Sequence, residues 1–146
     1  MDYNYIFKYT LIGDSSVGKS SIINRLFNIN NNYNSSPTIG VDFHSFYISP
    51  FKIKIQIWDT AGHENFLSVT RSYYRKSTCV FLVYDISSRE SFYNLDKWLL
   101  EINNFCPKKT KIILIGNKKD IINKRTVTYN EGLQFANLHN FDFFEV

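Results

Sequence analysis

At 146 residues, with 44% hydrophobic and 17% aromatic side chains, the chain can bury one sizeable core but not two, so a single domain over residues 1–146 is expected. The formal charge of +4 is divided between short runs, Lys108-Lys109-Thr110-Lys111 and Lys118-Lys119, which reads as solvated surface and argues against a nucleic-acid face. No apolar run approaches the roughly eighteen residues a membrane span needs, and Met1-Asp2-Tyr3-Asn4 lacks a secretory start, so a cytosolic chain is expected, with Cys79 and Cys106 as reduced structural thiols.

The first element predicted is a strand of β-branched and aromatic residues from Tyr5 to Ile12, followed by Gly13-Asp14-Ser15-Ser16-Val17-Gly18-Lys19-Ser20 and an amphipathic helix through Ser21 to Phe27. Strand, G-x-x-x-x-G-K-S loop and helix in that order point to a phosphate cradle. Successive backbone N–H groups, with the positive end of the helix dipole, would hold a nucleotide's β-phosphate. Ser15, Ser16, Val17, Gly18, Lys19, Ser20 and Ser21 are therefore candidate nucleotide-binding residues. Lys19 would reach the β- and γ-phosphates, and the Ser20 hydroxyl would ligate Mg²⁺.

Asn28 to Ser36 is polar, low in complexity and rich in turn formers, and it is expected to be a mobile loop. It leads into Pro37-Thr38-Ile39-Gly40, where Thr38 could complete a Mg²⁺ shell only while a γ-phosphate holds the loop, which would make it a switch residue. Val41 to Ile48 and Ile53 to Trp58 alternate apolar and polar with only Ser49-Pro50-Phe51-Lys52 between them. That connection is too short for a parallel crossover, so a hairpin is predicted. Asp59 follows at the strand's end, placed to hold a Mg²⁺-bound water, and the Gly62 N–H could bond the γ-phosphate.

Cys79 to Tyr84 and Ile112 to Ile115 are continuous apolar runs suited to central strands buried on both faces. Between them Ser91 to Ile102 puts Phe92, Leu95, Leu99 and Ile102 on one helical face with Trp98 beside it, a covering helix whose aromatics read as core. Asn117-Lys118-Lys119-Asp120 closes the second of these strands. A carboxylate at Asp120 can accept from both the ring N–H and the amino group of guanine, a match worth about 10⁴-fold over adenine. Asn117, Lys118 and Asp120 are thus candidate base-site residues. A helix from Asn130 to Leu138 and a strand from Phe141 to Val146 complete an α/β pattern with a mostly parallel sheet.

The chain resembles the small GTPases of the Ras superfamily, specifically the Rab family, over nearly its whole length: Gly13 to Ser20, Thr38-Ile39-Gly40-Val41-Asp42-Phe43, Trp58-Asp59-Thr60-Ala61-Gly62, Ser72-Tyr73-Tyr74-Arg75 and Asn117 to Asp120 follow the family pattern. The resemblance implies a P-loop NTPase small G domain, three-layered α/β/α, with a six-stranded sheet containing one antiparallel strand. It implies GTP or GDP as ligand with Mg²⁺ held by Ser20, Thr38 and Asp59, and Lys19, Thr38, Gly62 and position 63 in catalysis. It further implies exchange factors, GTPase-activating proteins and effectors as partners, the last meeting the aromatic triad Phe43, Trp58 and Tyr73, and a role in membrane traffic. Leu95-Asp96-Lys97-Trp98 with Asn130-Glu131-Gly132-Leu133 is similar to the Rab subgroup associated with lipid droplets and the endoplasmic reticulum.

The chain departs from the family in four places, one of them Asn65, which stands where Arg is usual beside the switch. His63 stands where the family has the glutamine that orients attacking water, which predicts slow intrinsic hydrolysis. Asn31 stands where an aromatic covers guanine, with Tyr33 as nearest substitute. Relatives continue past Glu145-Val146 with a base-contacting loop, a final helix and a cysteine-bearing tail. The expectation is accordingly a domain lacking its last helix, with one sheet face partly bare and no prenyl anchor. The alternative reading is an effector platform or inactive fragment that binds nucleotide with little or no turnover.

Overall fold

A computed structural model of the chain describes residues 2–27, 38–62 and 64–146. His63, Asn31, Tyr33 and the expected mobile loop from Asn28 to Ser36 therefore lie outside the described residues.

Six strands form one sheet: β1 (Tyr5–Ile12), β2 (Val41–Ile48), β3 (Ile53–Thr60), β4 (Cys79–Asp85), β5 (Lys111–Asn117) and β6 (Asp142–Glu145), in the order β2-β3-β1-β4-β5-β6. Among the described strands only β2 runs antiparallel, its Phe43 opposite Trp58 and Phe46 opposite Ile55 on β3. The short Ser49–Phe51 turn of 3₁₀ helix and a left-handed Lys52 make that reversal, as the four-residue connection predicts. The remaining neighbours are parallel, which requires a crossover between each pair of strands.

Those crossovers are α1 (Lys19–Leu26), α2 (Leu67–Tyr74), α3 (Arg89–Tyr93), α4 (Leu95–Phe105) and α5 (Tyr129–His139). On one face α1 sends Ile23 against Leu11, Ile55 and Ile57. On the other, Tyr74 of α2, Leu95, Trp98 and Ile102 of α4 and Ala136 of α5 bury Ile12, Val80, Leu82 and Leu114. Helices thus cover both faces, giving the three-layered α/β/α arrangement. The single helix predicted from Ser91 to Ile102 is two, because Asn94 serves as cap for both α3 and α4. Thr128 and Glu131 form a reciprocal capping box that starts α5, and Asn140 in the left-handed region ends it. Among the described residues no helix is long and apolar enough to cross a membrane.

Both cysteines are free thiols. Burial pushes each up from the ordinary value of 9.0 to about 11. A thiol whose proton is held more tightly folded than unfolded adds stability that is complete below pH 9 and is lost as pH rises toward 11. At pH 8 the native chain should therefore react with a disulfide reagent about tenfold or more slowly than the urea-unfolded chain. Equal rates would contradict the burial of Cys79 and Cys106.

Candidate functional site: a phosphate cradle at the strand ends

The carboxyl ends of the parallel strands carry the site. Leu11 and Ile12 are buried at the end of β1, and the chain then turns through the glycine-rich loop into α1. Ser16 (φ 66°) and Gly18 (φ 97°) both take left-handed backbone. Alternation of this kind turns successive N–H groups toward one concavity. At Gly18 the requirement is also steric, since a Cβ would sit 2.2 Å from Asn117 Nδ2. No side chain caps α1, so its first-turn N–H groups stay available to an anion.

A cavity of about 350 Å³ opens over this loop. Ser15, Ser16, Gly18, Lys19, Ser20 and Ser21 line its floor, and Thr38, Gly62 and Lys118 close its rim. Thr60, which sequence reasoning did not single out, also faces it, and its hydroxyl donates to Leu11 O at 2.6 Å. Val17 is buried beside it. Asn117 straps the loop from above, donating through Nδ2 to Val17 O at 2.8 Å. Asp120 is exposed in the turn after β5 and lies outside the cavity lining.

Lys19 is 6% exposed, with Nζ donating to Gly13 O at 2.9 Å and Asp14 O at 2.6 Å. Burial lowers its ammonium from 10.5 to about 8, with Asp59 and Asp14 pulling the other way. The charge is thus held out of water beside a cavity that offers it an anion's place.

Three oxygen-bearing side chains converge at the rim. Ser20 Oγ and Thr38 Oγ1 share a hydrogen bond of 2.8 Å, Ser20 Oγ donates to Asp59 Oδ2, and Thr38 Oγ1 reaches that oxygen at 3.4 Å. Asp59 is 2% exposed, and its Oδ1 is buried without a hydrogen-bond partner among the described residues. Burial raises its carboxyl, while Ser20, Lys19 and Thr38 oppose the rise. An orphaned carboxylate oxygen beside two hydroxyls suits a hard cation that prefers oxygen ligands, so the residues present fit Mg²⁺.

Sequence reasoning missed two further links. Trp98 Nε1 and Asn94 Nδ2 donate to the Asp14 carboxylate at 2.6 and 2.7 Å, so a tryptophan whose ring is core also anchors the loop. Asp85, at the end of β4, pairs with Lys118 Nζ at 2.6 Å. Its signal was available: like Asn117, it is a polar residue ending a buried apolar strand. Away from the cavity, Phe43, Trp58 and Tyr73 form a tilted aromatic row with centroids 4.8 and 5.1 Å apart. Phe43 is 43% exposed, so the row is a surface feature, not ordinary core. Lys8 supports it from behind, with Nζ 4.7 Å from the Trp58 ring.

This sheet order and loop define a P-loop nucleotide-binding fold of the small G-domain type. A Ras family model matches residues 8–146. Among similar proteins, Ras-related protein Rab-2B of Dictyostelium discoideum is 43% identical over 98% of this chain and 72% of its own length. Ras-related protein RABA6a of Arabidopsis thaliana is 42% identical over 97% of this chain and 62% of its own length. GTP-binding protein ypt1 of Schizosaccharomyces pombe is 40% identical over 99% and 72%. The chain belongs to the Ras family, and within it to the Rab-type small GTPases. It spans between 62% and 72% of the lengths of these relatives.

Proposed function

We propose that the chain is a guanine-nucleotide switch that binds GTP and GDP with Mg²⁺ and hydrolyses GTP to GDP and phosphate, regulating vesicle and membrane traffic. The observation that carries this reading is the meeting of Ser20, Thr38 and Asp59 beside the buried Lys19. Thr38 reaches that cluster from outside the loop, so its presence there can report the state of the nucleotide. The loop N–H groups and Lys19 bind and orient the phosphates, and Lys19 offsets charge that gathers on the transferred group. Ser20, Thr38 and Asp59 would hold Mg²⁺, which would supply positive charge to the phosphates. The Gly62 N–H bonds the γ-phosphate, and loss of that phosphate frees the segment that follows.

Asn117 fixes the base site to the loop, and Asp120 selects guanine through its paired N–H donors. Phe43, Trp58 and Tyr73 present the effector surface, and exchange and activating proteins set the rates at either end of the cycle. A longer, prenylated form of the chain would act at the cytoplasmic face of an intracellular membrane.

With His63 in place of glutamine, GTP turns over slowly, because an imidazole offers a different reach from a carboxamide toward the attacking water. Single-turnover phosphate release should accelerate roughly tenfold or more in His63→Gln. Release that is fast in the parent, or unchanged in the variant, would contradict the assigned role of position 63. Absence of any release from both would favour an effector platform without turnover.

A further inference from the structure

We propose that Asp85 is a positioning residue of the nucleotide site, holding Lys118 across the phosphate loop and so setting how long guanine nucleotide stays bound. The inference rests on the nucleotide-binding reading above.

Asp85 ends β4, in register with Asn117 on β5. Its side chain is 8% exposed, and both carboxylate oxygens are engaged. Oδ2 pairs with Lys118 Nζ at 2.6 Å, while Oδ1 accepts from Ser87 N at 2.8 Å and Ser87 Oγ at 2.6 Å. Its own N–H donates to Ser91 Oγ at 3.0 Å, which fixes the turn on which it sits. A carboxylate so occupied is built to hold a cation in place, not to meet a ligand. Burial works against its charge, yet Lys118 and Ser87 together hold the carboxyl below the ordinary range.

Lys118 spends a second hydrogen on the loop, donating from Nζ to Ser16 O at 2.8 Å. The next carbonyl, Val17 O, is the one that Asn117 Nδ2 holds. Every described peptide bond is trans, so the C=O and N–H of each unit point in opposite directions. Tying Ser16 O toward Lys118 therefore aims the Val17 N–H the other way, and tying Val17 O aims the Gly18 N–H likewise. The two straps thus orient consecutive donors of the phosphate cradle.

An unrestrained lysine would hold Ser16 O poorly. Its flexible stem carries rotamer entropy that the Asp85 pair has already removed. With the carboxylate gone, Lys118 has solvent to explore, since its side chain is 30% exposed.

The test is release of methylanthraniloyl-GDP from the 146-residue chain and from Asp85→Asn, Lys118→Met and the double variant. The parent should bind one nucleotide; if it binds none, the nucleotide-binding reading itself fails. Asp85→Asn should release the probe about tenfold faster, the scale of one charge-assisted hydrogen bond. In the Lys118→Met background the same substitution should add nothing, because Asp85 acts through that lysine. A release rate within about twofold of the parent overturns the inference. So does an equal acceleration in both backgrounds, which a purely structural role would give. If Asp85→Asn fails to fold while Lys118→Met folds, the carboxylate serves the fold and the inference is likewise overturned.

Discussion

Lys19→Met should lower the affinity for GDP by about a hundredfold or more while leaving the nucleotide-free protein as stable as the parent, or slightly more so. The two readouts part company because Lys19 is a buried cation whose direct partners among the described residues are backbone carbonyls. Gly13 O and Asp14 O accept its protons, but burial still drives its ammonium down to about 8. A depressed lysine value means that the charged form costs the fold stability up to about pH 8, and that this cost fades as pH rises toward 10.5. A phosphate reverses the balance by supplying the missing opposite charge. Methionine keeps the apolar stem and removes the head, so the binding term is lost and the folding cost goes with it. Calorimetric titration with GDP and thermal melts of the ligand-free proteins give the two quantities. An affinity within tenfold of the parent, or a melting point that falls by many degrees, would mean that Lys19 holds the loop together instead of waiting for an anion.

The second large effect is on stability. In Gly13→Ala the new methyl would lie 2.2 Å from Val83 O, a backbone atom of β4 that pairing with β1 and β5 holds on both sides. Neither strand can yield without breaking ladder hydrogen bonds, so a loss of about 3 kcal/mol or more is expected. Gly40→Ala is the control. Among the described residues nothing lies within 4 Å of its would-be Cβ, which leaves the left-handed φ of 76° as the cost. About 1 kcal/mol covers that cost. Urea unfolding of the two variants should separate them clearly. Equal stabilities would contradict the close approach of the phosphate loop to β4.

The strands and the cradle were legible because each depends on local chemistry. Alternation over Val41 to Ile48 and the four-residue connection to Ile53 dictate a hairpin, and the glycine loop after an apolar strand dictates a phosphate turn. Helix α2 was not predicted as an element. The segment Leu67–Tyr74 carries β-branched and hydroxyl residues with weak helix preference, and it is helical because Thr70 and Tyr74 are buried, Tyr74 in the core shared by the sheet and α4. The break at Asn94 was hidden for the opposite reason, since the apolar spacing of Phe92 and Leu95 continues across it. Trp98 and Asp85 escaped notice as site residues because their partners are distant in sequence. The Trp98 partner, Asp14, is 84 positions away, and nothing local distinguishes a core indole from one that also donates to the loop.

The most direct test is to purify the chain in Mg²⁺ buffer, denature it, and identify the released nucleotide with its molar ratio to protein. The cradle of Lys19, Ser20, Thr38 and Asp59, strapped by Asn117, predicts guanine nucleotide near one per chain. Adenine nucleotide in its place, or none that can be loaded by exchange with excess GDP, would contradict a guanine-nucleotide switch.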